Sequence, residues 1–143
     1  MQSEEEYLGG FTSANLKKGM IAGYGIYATN RRIIGIKSRK GVVGRLLLGG
    51  ITVGILDKLG AKITRDESAK MIEELDKKKD FEISKEQVSQ IEIKKPSFMS
   101  RGHLTITLKS GEDVKVLVGG KKEFEQTRDL MLAFLPEAVR LRE

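Results

Sequence analysis

The stretch from Met20 to Lys40 constrains the rest of the chain most. Tyr24, Ile26 and Ala28 alternate with Gly23, Gly25 and Tyr27 on the way in, and Ile34 and Ile36 alternate with Ile33, Gly35 and Lys37 on the way out. Period-two alternation on both sides of the polar Thr29-Asn30-Arg31-Arg32 predicts a β-hairpin, because successive strand side chains point to opposite faces. Upstream, Tyr7 to Leu16 reads as a further strand, bent or bulged at Gly9-Gly10, and Lys17-Lys18-Gly19 as a tight basic loop.

Downstream, the pattern changes. Gly41 to Gly60 is apolar and glycine-rich, with one charge, Arg45, between Val42 and Leu56. Fifteen residues of helix would span about 22 Å against roughly 30 Å of bilayer core, so a crossing is not expected. The segment reads as an element sealing the sheet. The other reading is a membrane-dipping or self-associating insertion through Leu46, Leu47, Leu48 and Ile51, with Gly50 and Gly54 at the spacing that lets helices approach closely. Thr64-Arg65-Asp66-Glu67 is a capping box that opens a helix to about Lys79. The run Lys77-Lys78-Lys79 suits a solvated helix end.

Short strands follow over Phe81 to Ser84 and Val88 to Lys95, around the polar turn Lys85-Glu86-Gln87. Pro96 to Gly102 reads as a loop. Leu104, Ile106 and Leu108 alternate with Thr105, Thr107 and Lys109, and Ser110 to Asp113 turns that strand back into Val114, Val116 and Val118. Gly119-Gly120 breaks the sheet. Phe124, Thr127, Met131, Phe134 and Leu135, with Leu130 alongside, form the apolar stripe of a closing helix that Pro136 ends. About seven antiparallel strands with a terminal amphipathic helix predict a mainly β (α+β) chain. The expected form is a strongly bent sheet or small barrel with its open end covered by the helix. With no repeats and no low-complexity linker, residues 1–143 are expected to form one domain carrying an insertion at 41–79.

Charge is distributed unevenly. Tyr7 to Leu56 holds no Asp or Glu but eight cations: Lys17, Lys18, Arg31, Arg32, Lys37, Arg39, Lys40 and Arg45. Such a field favours anionic partners: lipid headgroups, nucleic acid or acidic proteins. Cys is absent, and the acidic start Met1 to Glu6 lacks the basic region and apolar core of a secretion signal, so a cytoplasmic location is expected.

No catalytic constellation is present. His103 is the lone histidine, and without Cys it has no partners for a transition-metal site or a triad. Glu73, Glu74 and Asp76 are spaced like a helix surface. No serine sits in a nucleophile elbow, and Gly41 to Gly54 lacks the Lys-Ser/Thr ending of a phosphate-cradling loop. An enzyme is not expected, nor a metal or cofactor. Tyr24 and Tyr27 lie among the cations, but their opposite parity turns at least one ring inward, which leaves nucleic acid as the third choice of partner.

Ala14-Asn15-Leu16, then Gly19, then Gly25-Ile26-Tyr27-Ala28-Thr29-Asn30-Arg31-Arg32-Ile33-Ile34 resembles the opening of pleckstrin-homology-like and GRAM-type domains of bacteria and archaea. Ile91-Glu92-Ile93, the Leu104-to-Val118 hairpin and the Phe124 helix are similar in order to the second half of that fold. The resemblance implies a bent seven-stranded antiparallel barrel with a C-terminal capping helix and an inserted helical segment. It also implies a lipid-binding or protein-docking module. Lys17 and Lys18 match the loop that supplies basic residues in phosphoinositide-binding members. Ile21 to Tyr27 adds no basic residue, so the expectation is diffuse, peripheral association with an anionic membrane surface. Its contacts would be Lys17, Lys18, Arg39 and Lys40, with Arg31, Arg32 and Arg45 as secondary candidates. The alternative is a protein-docking or self-assembling module that uses the 41–60 segment in a homo-oligomer.

Overall fold

A computed structural model describes residues 5–37 and 65–142. Strand β1 (Tyr7–Lys18) turns into β2 (Ile21–Thr29), and β2 into β3 (Arg32–Lys37). Helix α1 (Arg65–Lys78) runs straight into β4 (Lys79–Ser84), and a 3-10 turn, Lys85–Gln87, leads to β5 (Val88–Lys94). Then come β6 (Gly102–Leu108), β7 (Asp113–Val118), helix α2 (Lys121–Phe134), a 3-10 turn at Pro136–Ala138 and β8 (Val139–Arg142).

The described strands form one sheet in the order β4-β3-β2-β1-β7-β6-β5-β8. All pairings are antiparallel except β5 with β8. The predicted hairpin is present, with Ala28 opposite Ile33 and Tyr24 opposite Lys37. So is the irregularity at Gly9, where the β1–β2 register shifts. The basic loop is shorter than expected. Lys17 and Lys18 still pair with Ala22 and Ile21, which leaves Gly19-Met20 as a two-residue turn. Gly19 supplies the positive φ of 61° that such a turn needs at its first position.

Two features correct the seven-stranded antiparallel barrel. The tail after Pro136 is an eighth strand, laid parallel on β5 with Ile91 opposite Val139. The sheet is also open, because β4 and β8 are its two edges and no ladder joins them among the described residues. Helix α2 takes the space that closure would use, packing on β1, β2, β5 and β6. A flat sheet would separate β2 from β5 by about 19 Å at strand spacing, wider than the helix. The sheet therefore curls around α2. The residues that follow inward parity fill the space between: Ile26, Ile33, Ile91, Leu104, Ile106, Val116 and Val118 against Phe124, Leu130, Met131 and Phe134.

Strands β2 and β3 are buried on both faces. Tyr24, Ile26 and Ala28 face the main core, while Tyr27, Ile34 and Ile36 meet Met71 and Leu75 of α1 on the other side. Removing a side chain such as Leu75 or Met71 from water contributes on the order of 1.5–3 kcal/mol, enough to fix α1 on the sheet. The Ser68 hydroxyl of α1 also accepts the Tyr7 backbone N–H at 2.9 Å. The expected helix over 64–79 is thus present from Arg65, and Thr64 and the Gly41 to Gly60 segment lie outside the described residues.

Candidate functional site

Among the described residues three charged constellations stand out, and one of them leaves its cations without an ion pair. The first is centred on Arg32. Its Nε donates to Glu5 at 2.7 Å, and its two Nη atoms donate to Asp76 of α1 at 2.6 and 2.9 Å. Nη1 also reaches Glu82 of β4 at 2.5 Å. The guanidinium beside Asp76 holds that carboxyl below its ordinary range, and Lys79 with Arg32 does the same for Glu82. Thr29 joins in, its hydroxyl donating to Glu5 at 2.7 Å. Arg32 is thus occupied in tying the first residues, α1, β3 and β4 together.

The second is centred on Asp80, which accepts a short hydrogen bond from the buried Tyr24 hydroxyl. Lys37 and Lys18 approach the same carboxylate at 3.3 and 3.8 Å. The Tyr24 bond, followed by the two lysines, lowers the Asp80 pKa, and burial raises that of Tyr24. Lys18 also stands over the Phe81 ring, 5.7 Å from its centroid, and Phe81 stacks on Tyr24.

The third is a cleft of about 220 Å³ lined by Ala14, Asn15, Lys17, Ala22, Arg101 and Gly119. It is a product of irregular backbone. Between the rungs Ser13–Tyr24 and Lys17–Ala22, β1 has three residues and β2 has one, so β1 bulges. A bulge bends its strand, and here it turns Leu16 and Lys17 to pair with Val118 and Leu117 of β7. The Asn15 carbonyl, freed from β2, accepts the Gly119 N–H at 2.9 Å. Gly102 lies opposite Val118, which brings the preceding residue, Arg101, to the same place. Lys17 and Arg101 form no ion pair with a described residue, and no described carboxylate lines the cleft. The nearby Glu123 is held by the Ser13 hydroxyl at 2.9 Å.

The structure therefore separates the cations that the sequence grouped. Lys17 faces the cleft and Lys18 faces Asp80. Arg31 and Arg32 stand past the far end of β2, roughly 27 Å away at strand rise. Arg39, Lys40, Arg45, Leu46, Leu47, Leu48, Gly50, Ile51 and Gly54 lie outside the described residues. Tyr24 and Tyr27 are buried, at 0% and 2% exposure, so neither offers a stacking platform.

The sequence reading passed over Arg101 and the neighbouring tips. Phe98 is 100% exposed, Met99 85% and Met20 93%. The signal available was an aromatic residue and a methionine inside a short polar loop, outside any strand parity. His103 bonds Glu92 through Nε2 at 2.9 Å on the outer face of β5 and β6. No helix among the described residues is long and apolar enough to cross a membrane. Comparison of the chain with family models, with curated proteins and with solved structures found no match.

Proposed function

We propose that this protein is a non-enzymatic module of the pleckstrin-homology-like kind that associates peripherally with anionic membrane surfaces through the face bearing the Lys17–Arg101 cleft. The strand order supports the family reading. A four-strand meander, β4 to β1, continues through β7, β6 and β5, and a late helix packs inside the curl. One observation carries the functional reading. Lys17 and Arg101 come from segments more than eighty residues apart, yet they line one cleft with no carboxylate among its described walls.

Lys94 and Lys95 lead into the loop that ends at Arg101 and add to the same field. Each cation near an anionic leaflet contributes on the order of 1 kcal/mol, so these four account for reversible, salt-sensitive association. The test is sedimentation with vesicles of phosphatidylcholine alone or mixed with phosphatidylserine, at low and high salt. The expected result is binding to the mixed vesicles that weakens with salt and with Lys17→Glu/Arg101→Glu. Binding that is absent, or indifferent to lipid charge and to that double reversal, rejects the reading.

A further inference from the structure

We infer that Phe98 and Met99 form an apolar element that inserts into the bilayer interface while Lys17 and Arg101 meet the lipid phosphates. This rests on the membrane reading above and adds a component that charge alone does not supply.

The β5–β6 loop is built to hold its tip in water. Lys95 N–H bonds the Arg142 carbonyl at 2.9 Å, anchoring the base of the loop to β8. Gly102 closes the other side, where a Cβ would stand 2.2 Å from the Lys94 carbonyl oxygen. Across the tip, Ser97 N–H donates to the Ser100 carbonyl at 2.8 Å, and Ser100 N–H donates to the Ser97 hydroxyl at 3.2 Å. The two hydroxyls lie 3.0 Å apart. Phe98 and Met99 sit between these serines, Phe98 fully exposed and Met99 largely so.

A fold gains nothing from an aromatic ring held entirely in solvent, and contiguous exposed apolar tips mark interaction sites. The serine clasp satisfies polar groups within the loop, which lowers the cost of taking that backbone out of water. Lys17 and Ala22 of the β1–β2 hairpin and Arg101 of this loop line the same cleft, so the apolar tip follows directly on the cleft's own cations.

Charge selects the occupant. Lys94 to Arg101 contains three basic residues and no acidic one, and the tip is apolar. An apolar tip framed by cations complements a surface with phosphate outside and hydrocarbon beneath, the arrangement of interfacial anchors.

The chain has no tryptophan, so Phe98→Trp introduces a single fluorescent reporter at the tip. With vesicles of phosphatidylcholine and phosphatidylserine, its emission should shift to the blue and be quenched by lipids brominated along the acyl chain. Phe98→Ser/Met99→Ser should melt like the parent and partition roughly ten- to hundredfold more weakly, keeping only the part that salt removes. Water-like, unquenched emission from vesicle-bound protein, or unchanged partition of the double serine variant, overturns insertion and leaves peripheral association standing. A parent protein that binds neither vesicle overturns both. A blue shift that grows with protein concentration in the absence of lipid identifies a second copy as the occupant and overturns insertion.

Discussion

Arg32 of β3 grips Asp76 of α1 with two parallel hydrogen bonds, Nη1 to Oδ1 at 2.6 Å and Nη2 to Oδ2 at 2.9 Å. The planar guanidinium matches the carboxylate edge to edge, and the same group still reaches Glu5 and Glu82. Its side chain is only 14% exposed. Arg32→Met leaves three carboxylates clustered with fewer cations, and we expect a loss of about 2–3 kcal/mol in urea unfolding. Arg32→Lys should recover only part of that, because an ammonium cannot bond both oxygens in a plane. A loss below about 0.5 kcal/mol would show that the cluster behaves as an ordinary surface ion pair.

Acid should act on the same clamp. Asp76 and Glu82 have ordinary pKa values of 3.8 and 4.5, and Arg32 and Lys79 hold both lower in the folded protein. As pH falls, the unfolded chain takes up those protons first. The clamp's contribution is therefore complete well above 4.5 and disappears as pH drops through these values and below. Urea midpoints measured between about pH 7 and pH 3 should fall more steeply for the parent than for Arg32→Met. Parallel curves would remove the clamp from the account of acid stability.

Gly35 faces the Phe81 ring, and a Cβ at that glycine would stand 2.1 Å from the ring edge. The two residues are cross-strand partners in β3 and β4. Gly35→Ala should cost about 1–3 kcal/mol through overpacking. In a Phe81→Ala background, the same change should cost much less, giving a coupling that a double-mutant cycle reads directly. Additive losses would mean that the strands shift apart instead.

Asp80→Asn keeps an acceptor for the Tyr24 hydroxyl but releases Lys18 and Lys37 from their shared anion. Phosphatidylserine-containing vesicles should then bind about fivefold more tightly at low salt, the effect of one negative charge removed near the surface. The thermal midpoint should fall slightly, because a neutral hydrogen bond replaces a charge-assisted one. Unchanged binding would place this node away from the lipid.

Charge reversal at the two ends of β2 tests which end faces the bilayer. Lys17→Glu should weaken vesicle binding by about tenfold or more, whereas Arg31→Glu, roughly 27 Å along the strand, should change it little. Equal losses would indicate a diffuse field with no preferred face.

Much of the fold was legible because parity and helical periodicity are local signals. The β2–β3 hairpin, the β6 and β7 strands and the stripe Phe124, Thr127, Met131 and Phe134 all occupy the faces their spacing implies. Burial of β2 and β3 on both sides was less visible, although Ile33-Ile34-Gly35-Ile36 is a continuous apolar run of the sort that doubly covered strands show. Strand β8 was hidden because Val139–Arg142 is four residues long and half of them are arginines, and its parallel partner lies far back in the sequence. Arg32 looked like a spare cation, since nothing local announces Glu5, Asp76 and Glu82 as its neighbours. The cleft depends on where a bulge redirects β1, so Lys17 could be nominated from sequence but Arg101 could not.

The seam between β1 and β7 is narrow. Only Leu16–Val118 and Lys17–Leu117 pair across it, supplemented by the Gly119–Asn15 bond. Two sheet lobes thus meet along a join two rungs wide, and α2, touching strands of both, acts as the spacer that fixes the angle between them. The Lys17–Arg101 cleft opens at that join. Its width consequently depends on how firmly Phe124, Met131 and Phe134 seat the helix.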